Sequence, residues 1–438
     1  MPARLLPLRN PISISLDGDT IQAEDGEPLA AALLGAEKTS FARSPKFHRP
    51  RGPACMRAAC DGCLARVDGL PNVMTCVSPA RQGSRVEVQN TLGSREVDLL
   101  RVTDWFFPEG FDHHHLFAGV PGVQRVMQAF ARRVAGLGLL PTDRSSERPP
   151  EIPPPRAAMR RAQDVVVVGA GPAGIAVASA LALRGRSVEL LDDGLVPGGG
   201  LRSLAPGDLG GWRALEQGFE RARATGLVVR PSTVAGGLYG EDLLVVGPEG
   251  AEVVTARALV LATGAHDGVL AFEGNDLPGV MSARAGGMLA RLGVRLGPRV
   301  VVVIAPGGGP FGESFGRAMT AAGAGDGVVV VRGVPVSASG SSKVRSVTVR
   351  EGEHERSLDA DALLIDAPRA PAYELPEQAG ARILHEPRGF VARAPRGKIR
   401  GEGDAGVWVV GEAAGDAFDP AVITRAAEDV VDQVAAGR

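Results

Sequence analysis

All four cysteines of this 438-residue chain lie in one short segment, between positions 55 and 76. Cys55, Cys60 and Cys63 follow the pattern C-x4-C-x2-C, and Cys76 comes about a dozen residues later. This is the plant-type spacing for a [2Fe-2S] cluster, which takes four thiolates. Three closely spaced ligands let the backbone wrap a cluster, while the fourth has to return from a separate element. The segment therefore predicts an iron–sulfur domain at the front of the molecule.

The residues around the cysteines fit such a loop. Gly52 and Gly62 permit a tight backbone path, and a strand at 64–67 with a turn at Asp68-Gly69 returns the chain toward Cys76. Zinc is disfavoured because structural zinc sites commonly have two short cysteine knuckles and this chain has one. Unliganded cysteines are disfavoured because the chain has no others. Arg57 and Arg66 flank the ligands, either offsetting the cluster's charge or as ordinary surface residues.

Charge and hydropathy exclude several classes of protein. The chain has 48 basic and 50 acidic residues, which argues against nucleic-acid binding and against a polybasic membrane surface. The first twenty residues lack the apolar region of a secretion signal, and no apolar stretch is long enough to span a bilayer. Together with four clustered cysteines, this predicts a cytoplasmic protein with a metal site and without disulfides.

The pattern of strands, helices and turns predicts an α/β fold class: an N-terminal β-grasp ferredoxin-like domain, then a two-dinucleotide-binding, Rossmann-like flavoprotein fold. The Pro-rich run at 148–155 gives the clearest boundary. We expect a meander at 227–256 with turns at 236–237 and 247–250, a helix at 123–139, and single strands at 343–350 and 356–366. The expected domains are 1–95 (ferredoxin-like), 96–160 (helical connector and linker), 161–272 (first part of the Rossmann domain), 273–375 (second nucleotide-binding-like domain) and 376–438 (return segment of the first).

A glycine fingerprint marks the first nucleotide site. Gly169, Gly171 and Gly174 stand between a buried strand and a helix, in the order G-x-G-x-x-G. The first glycine permits the turn, the second lets backbone approach a pyrophosphate, and the third lets the helix pack on the strand. Asp192 ends the next strand about twenty residues later, where an acid accepts hydrogen bonds from a ribose. With strands, helix and acid in place, the pattern predicts a dinucleotide site.

Three further segments favour the flavoprotein class. Thr263 and Gly264 follow a buried strand, and Gly199 belongs to a Gly-rich loop after the second strand. Gly411 and Glu412 follow a late strand, and this segment resembles the one that contacts the flavin ribityl and pyrophosphate, where Asp is commoner than Glu. We therefore add these residues to the predicted cofactor site.

The second βα unit departs from the fingerprint. Ala305 and Pro306 occupy the start of the turn, where glycine is usual, and Gly307–Gly309 follow. Arg332, after the next strand, either meets a 2′-phosphate or is a surface residue. The sequence leaves open whether this second site binds NAD(P)H, and no catalytic residue stands out.

Several segments carry a resemblance to a known family. They are 41–52 (FARSPKFHRPRG), 105–141 with AGLGLLP at its end, and the unit around Gly169. Together they resemble the alpha subunit of heterotetrameric sarcosine oxidase, and equally the related subunits of opine and proline dehydrogenases and of hydrogen cyanide synthase. Sarcosine oxidase alpha chains lack the ferredoxin cysteines and carry a long folate-binding domain, so the resemblance is nearer to the iron–sulfur relatives.

The resemblance implies a partner subunit that holds FAD and oxidises an amine, and an FMN between subunits. It also implies FAD, NAD or another adenine nucleotide at the Gly169 site. We therefore expect an electron-transfer subunit of an amine or imino-acid oxidoreductase, with an acceptor protein or quinone as a further partner. Two alternatives remain open at this point: a self-contained NAD(P)H-dependent iron–sulfur flavoprotein reductase, and a scaffold subunit with a structural nucleotide.

Overall fold

The fold is taken from a computed structural model, which describes residues 4–102 (except 45, 46, 92 and 96), five isolated positions between 122 and 129, and 159–436. Most of the expected helix at 123–139, and all of the Pro-rich run at 148–155, fall outside the described residues. None of the helices in the described part of the chain has the length and apolar character needed to cross a bilayer.

The N-terminal domain is built on a five-stranded mixed sheet with the strand order β2-β1-β7-β5-β6. One helix, α1 (Leu29–Gly35), packs on it with six buried side chains. This is the predicted β-grasp arrangement, in which β1 runs parallel to β7. The strands are β1 (Pro11–Leu16), β2 (Asp19–Glu24), β3 (Ala42–Arg43), β4 (Pro50–Arg51), β5 (Leu64–Val67), β6 (Leu70–Met74) and β7 (Arg85–Glu87).

The central domain contains an eight-stranded sheet whose core is parallel, with β10-β9-β8-β13 in order and β26 also beside β13. The helices α2 (Pro172–Leu183) and α7 (Pro420–Ala435) pack against each other, and α3 (Arg213–Ala224) packs on α2. The strands are β8 (Met159–Val168), β9 (Val188–Leu191), β10 (Val228–Arg230), β11 (Val234–Tyr239), β12 (Asp242–Gly247), β13 (Gly250–Leu261), β25 (Lys398–Arg400) and β26 (Gly406–Val409).

The second α/β domain has a parallel sheet, β15-β21-β16-β17, and an antiparallel sheet, β18-β19-β20. Its helices are α4 (Ala283–Arg291) and α5 (Phe311–Ala321), and a short helix α6 (Glu374–Gln378) follows. The remaining strands are β14 (Ala265–His266), β15 (Val280–Ser282), β16 (Val300–Ile304), β17 (Val328–Arg332), β18 (Val334–Ser339), β19 (Ser346–Glu351), β20 (His354–Asp359), β21 (Ala362–Asp366), β22 (Ala370–Pro371), β23 (Arg382–Glu386) and β24 (Gly389–Arg393).

Two local predictions were wrong. The expected turn at 236–237 is a β-bulge inside β11, where the register shifts between Ala235 and Gly237. The expected strand at 356–366 is two strands, β20 and β21, which belong to different sheets. A two-residue gap between strands leaves hardly any trace in the alternation of side chains, so a single long strand was the simpler interpretation.

Candidate functional site

The cysteine loop (residues 52–63) is fixed by close backbone packing. A Cβ atom on Gly62 would lie 2.2 Å from the carbonyl oxygen of Gly52, and one on Gly52 would lie 2.3 Å from that of Thr39. Any other residue at these positions would push the loop off its support. At Asp68 and Gly69 the φ angles of 51° and 86° make the expected turn between β5 and β6. The tight backbone path at Gly52 and Gly62 and the turn at Asp68-Gly69 are thus those that the sequence predicted.

Backbone N–H groups of the cysteine loop point at sulfur. Arg57 N and Ala59 N donate to Cys55 Sγ over 3.4 and 3.3 Å, and Ala58 N donates to Cys76 Sγ over 3.3 Å. Met56 and Ala58 adopt positive φ angles of 55° and 57°, which turns successive N–H groups to the same side. A converging set of donors suits a negatively charged group, and sequence alone gave no sign of these two backbone conformations.

The four thiols lie close enough together to interact in a row, in the order Cys60, Cys55, Cys76, Cys63. The interaction with Cys60 and then that with Cys76 hold the pKa of the Cys55 thiol well below its usual range, and the interaction with Cys55 raises the pKa of Cys60. No group of three or more His, Cys, Asp or Glu side chains among the described residues is arranged to hold a single metal ion. A row of four thiols fits a cluster of two irons, which takes four thiolates in all.

The cysteines differ in exposure. Cys63 and Cys76 are 1% exposed and Cys55 is buried, whereas Cys60 is only partly buried. Thr75 supports the return to Cys76, because its hydroxyl donates to the Cys63 carbonyl over 2.7 Å. The two ligands that sequence separates by a dozen residues are thereby held side by side.

The cysteine loop is docked directly on the second α/β domain. Ser282 N donates to the carbonyl of Ala54 over 2.9 Å, and Arg57 Nη1 donates to the carbonyl of Ala265 over 3.0 Å. Nearby, Arg51 forms an ion pair of 2.8 Å with Asp276. The predicted cluster ligands therefore lie against the strand ends of the nucleotide-binding region.

One cavity of about 530 Å³, here called the nucleotide cavity, joins the two predicted sites. Its volume lies in the range of small-molecule and cofactor pockets. Two cluster cysteines line it at one side, and seven of the predicted cofactor residues line the rest: Cys55 and Cys76, with Gly169, Gly171, Asp192, Gly199, Thr263, Gly264 and Glu412. The structure thus brings the two sequence motifs, more than ninety positions apart, to the same space.

The glycine fingerprint has the geometry that a dinucleotide requires. Gly169 has a φ of 100°, and a Cβ there would lie 2.3 Å from the Ala262 carbonyl oxygen. A Cβ on Gly174 would lie 1.8 Å from the Gly169 oxygen, so this glycine lets α2 pack close to the turn. A Cβ on Gly171 would meet no atom within 4 Å, since this residue faces the cavity. The turn and the N-terminus of α2 leave room for a pyrophosphate.

Asp192 lies beside this turn. Its carboxylate accepts hydrogen bonds from Ala170 N over 2.6 Å and from Gly194 N over 2.9 Å. Burial raises the pKa of the Asp192 carboxyl, against the lowering effect of these two bonds and of the Arg57 charge. The acid is therefore rigidly placed at the end of β9, where the sequence predicted a ribose-binding group.

The other predicted cofactor residues have specific partners. Glu412 forms an ion pair of 2.7 Å with Arg369, and the Arg369 guanidinium stacks on the Phe311 ring at 4.9 Å. Thr263 Oγ1 donates to the carbonyl of Ala372, and Gly411 N donates to Asp416. Arg369 was missed because a lone arginine between prolines has no sequence signature.

A buried acid, Asp267, lies next to the residue on which the cysteine loop is docked. Its carboxylate accepts a hydrogen bond of 2.8 Å from Ser282 Oγ and forms an ion pair of 2.7 Å with Arg284. The Arg284 Nε atom has no hydrogen-bond partner among the described residues. Burial raises the pKa of the Asp267 carboxyl to about 6, and this effect is larger than the opposite effect of the nearby Arg57 charge. Sequence reasoning also missed this acid.

The turn of the second βα unit is closed by the protein's own atoms. The carboxylate of Asp366, which is 3% exposed, accepts from Gly309 N over 2.9 Å and from Gly312 N over 2.7 Å. A carboxylate thus occupies the N-terminus of α5, where a phosphate would bind in an open site. Arg332, the candidate for a 2′-phosphate, forms an ion pair with Glu313.

Comparison with known proteins agrees with this architecture. A family model described as a 2Fe-2S iron-sulfur cluster binding domain matches residues 9–91, and one described as a pyridine nucleotide-disulphide oxidoreductase matches residues 163–335. These matches confirm the predicted cofactors, a [2Fe-2S] cluster and FAD.

Curated relatives include the alpha subunit of sarcosine oxidase from Rhizobium meliloti (strain 1021), which is 31% identical over 65% of this chain and 31% of the relative. An opine oxidase subunit from Agrobacterium tumefaciens (strain Ach5) is 26% identical over 58% of this chain and 61% of the relative. The chain spans about a third of the length of the sarcosine oxidase alpha subunits that it matches. These likenesses confirm the family resemblance predicted from the sequence.

Among solved structures, L-proline dehydrogenase from P. horikoshii superposes with a TM-score of 0.70 at 20% identity, over 99% of this chain and 74% of that chain. At this level of identity the likeness concerns the fold. Together with the two family matches, it confirms the predicted order of an iron–sulfur domain followed by a flavoprotein-type nucleotide-binding fold.

Proposed function

We propose that this homologue of sarcosine oxidase alpha subunits and of an opine oxidase subunit is an electron-transfer component of a multi-subunit amine or imino-acid oxidoreductase. In this proposal Cys55, Cys60, Cys63 and Cys76 hold the [2Fe-2S] cluster. The turn at Gly169–Gly174 and Asp192 hold FAD, with Glu412 toward its flavin end. A partner subunit oxidises the substrate, with sarcosine, proline and opines as the substrate class. An FMN at the interface with that partner, and an acceptor protein or quinone, complete the proposed pathway.

The observation that carries the proposal is the shared cavity. Cys55 and Cys76 line the same cavity as Gly171 and Asp192, so the two predicted cofactor sites are neighbours and not separate features of two domains. A flavin can exchange one or two electrons at a time, whereas a [2Fe-2S] cluster exchanges one. A relay from a two-electron donor to a one-electron acceptor therefore requires the two sites to be adjacent.

The chain's own residues serve this role by holding and shielding the cofactors. The backbone N–H groups of the cysteine loop neutralise charge on the thiolates, and burial of Cys63 and Cys76 keeps water from them. Asp192 and the turn at Gly169 orient the dinucleotide.

The closed second turn argues against the self-contained NAD(P)H reductase. Such an enzyme needs a second nucleotide site, but Asp366 already accepts the backbone N–H groups that a pyrophosphate would use. The ion pair of Arg332 with Glu313 removes the second candidate contact.

The proposal is tested by purifying the full chain anaerobically with its co-purifying proteins. Bound iron, acid-labile sulfide and flavin are measured, followed by dye-linked oxidation of sarcosine, proline and an opine. We expect the amine substrate to reduce the cluster only when the partner is present, and Cys63→Ser to abolish the cluster's absorption while flavin stays bound. Arg66→Gln is the matched control near the same loop.

Two results would contradict the proposal, and each would favour a different function. Rapid bleaching of the isolated chain by NADH would favour the reductase. Cofactors that stay oxidised throughout turnover of the complex would favour the scaffold.

A further inference from the structure

Arg57 is the residue through which the cysteine loop reaches into the nucleotide cavity. It stands between Cys55 and Cys60, lines the cavity, and donates from Nη1 to the carbonyl of Ala265 over 3.0 Å. Arg284 Nη2 donates to the same carbonyl over 2.8 Å. One oxygen atom, just past Thr263-Gly264, thus holds two guanidinium groups that come from different domains.

Only one of these two guanidinium groups forms an ion pair with a carboxylate among the described residues. Arg284 lies against Asp267, at 2.7 Å. By contrast, none of the described residues forms an ion pair with Arg57, whose side chain bonds only to a neutral carbonyl oxygen. A guanidinium group in a partly buried cavity without a carboxylate is well suited to an anionic ligand, because charge-assisted bonds to phosphate are strong and often bidentate.

The charge of Arg57 also reaches the turn that would hold a phosphate. Burial is the larger effect on Asp192 and on Asp267 and raises the pKa of both carboxyls, but Arg57 lowers both. Asp192 is bonded to Ala170 N inside the turn at Gly169–Gly171. Arg57 also lines the same cavity as Gly169 and Gly171 of that turn, so its side chain and the turn border one space.

We propose that Arg57 is a binding residue for the pyrophosphate of the dinucleotide, supplied by the iron–sulfur domain to a site in the neighbouring domain. The same residue donates its backbone N–H to Cys55 Sγ. Arg57 then serves the cluster ligand through its backbone N–H and the cofactor phosphates through its side chain, whose positive charge belongs to a residue only two positions from that ligand. The dinucleotide site is therefore complete only when the two domains are docked. This inference rests on assigning the nucleotide cavity to FAD, and not on the oxidation of an amine.

The test compares a ligand that has a pyrophosphate with one that lacks it. FAD is released from the full chain, and rebinding is followed by flavin fluorescence with ADP or adenosine as the competitor. For Arg57→Gln we expect ADP to bind at least about tenfold more weakly, which corresponds to ~1.4 kcal/mol, and adenosine to bind as in the wild type. Arg57→Lys keeps the charge without the planar guanidinium group, so its affinity for ADP should lie between that of the wild type and that of Arg57→Gln.

Arg66→Gln is the matched control. Arg66 follows Cys63 by three positions, donates to the carbonyl of Gly69 and lies outside the residues that line the cavity. The Arg66→Gln variant should bind ADP as tightly as the wild type does. An equal loss of ADP and adenosine in Arg57→Gln, an equal effect of the two Gln variants, or wild-type ADP binding in Arg57→Gln would each overturn the proposal.

A second measurement reads the cluster itself. The reduction potential followed by EPR should be more negative in Arg57→Gln, since reduction adds negative charge beside a position that has lost a positive one. Arg57→Lys should retain most of the wild-type potential, and an unchanged potential in Arg57→Gln would contradict a shared charge. Both measurements use the chain without partner or substrate, so they can succeed even if the amine-oxidising complex does not exist.

Discussion

Gly171 and Gly174 belong to the same fingerprint, but the structure gives them different tasks. Inside α2, a Cβ on Gly174 would lie 1.8 Å from the Gly169 oxygen and 3.2 Å from Ala262 Cβ. At Gly171, the N-cap of α2 with a φ of −77°, a Cβ would meet nothing within 4 Å. Alanine at position 174 should therefore destabilise the protein even without cofactor, whereas alanine at 171 should mainly impair cofactor binding.

The magnitude follows from the contact distance. A carbon and a carbonyl oxygen rest about 3.3 Å apart, so in Gly174→Ala the helix must retreat by about 1.5 Å from a backbone atom that no rotamer change can move. Overpacking of this kind costs about 3 kcal/mol, and alanine recovers about 1 kcal/mol of helix propensity. The net loss of about 2 kcal/mol lowers the melting temperature of a domain of this size by about 4–8 °C.

For Gly171→Ala, only a weaker N-cap preference acts on stability, which costs at most about 1 kcal/mol. Its methyl group would occupy the space into which a pyrophosphate has to come, so FAD binding should weaken at least about tenfold. The assay is the melting temperature of the flavin-free chain together with the dissociation constant for FAD. Gly218→Ala, in α3 with open space at its Cβ, is the control and should melt at or slightly above the wild-type temperature.

Two results would contradict these expectations. One is a melting temperature of Gly174→Ala equal to that of the wild type, and the other is a flavin-free Gly171→Ala that is as unstable as Gly174→Ala. In the first case the helix would have room that the carbonyl contact denies. In the second case the open space at Gly171 would not be real.

Two further predictions concern buried carboxylates. The pKa of Asp267 is raised from 3.8 to about 6, so the folded state favours the protonated acid; the stability that this gives is complete below about pH 4 and is lost as pH rises through about 6, by about 3 kcal/mol. Between about pH 4 and about pH 6, the melting temperature of Asp267→Asn should therefore rise relative to that of the wild type, and a constant difference would contradict the shift. Asp366→Ala frees the N–H groups of Gly309 and Gly312; it should cost about 2 kcal/mol or more in unfolding free energy and let NADH bind measurably. Calorimetry and NADH fluorescence check this, and equal NADH binding by wild type and variant would show that the turn is not closed.

The main features of the fold and of both cofactor sites could be predicted because each has a local sequence pattern. The cysteine spacing, the glycine fingerprint with its flanking strands, and the Pro before α1 depend on neighbours close in the chain. The error at 236–237 has a physical reason, because paired glycines suit a β-bulge as well as they suit a turn. The error at 356–366 arose because alternation does not mark which sheet a strand joins.

What sequence could not supply are contacts between distant segments. Arg369 meets Glu412, and Asp366 closes a turn nearly sixty positions before it, through bonds that depend on how the sheet brings its strand ends together. The positive φ angles of Met56 and Ala58 have no local sequence signal, since neither residue type favours them. Such features are visible only when the tertiary structure is known.

The way in which the cysteine loop is docked gives the cluster position an inner and an outer side. Cys55 and Cys76 line the nucleotide cavity, while Cys60, the most exposed of the four, does not. A domain held by its own ligand loop does not need to swing between donor and acceptor, as tethered carrier domains do. Exchange with an external redox partner would then take place at the surface around Cys60, and its rate should be insensitive to solvent viscosity once that partner is bound.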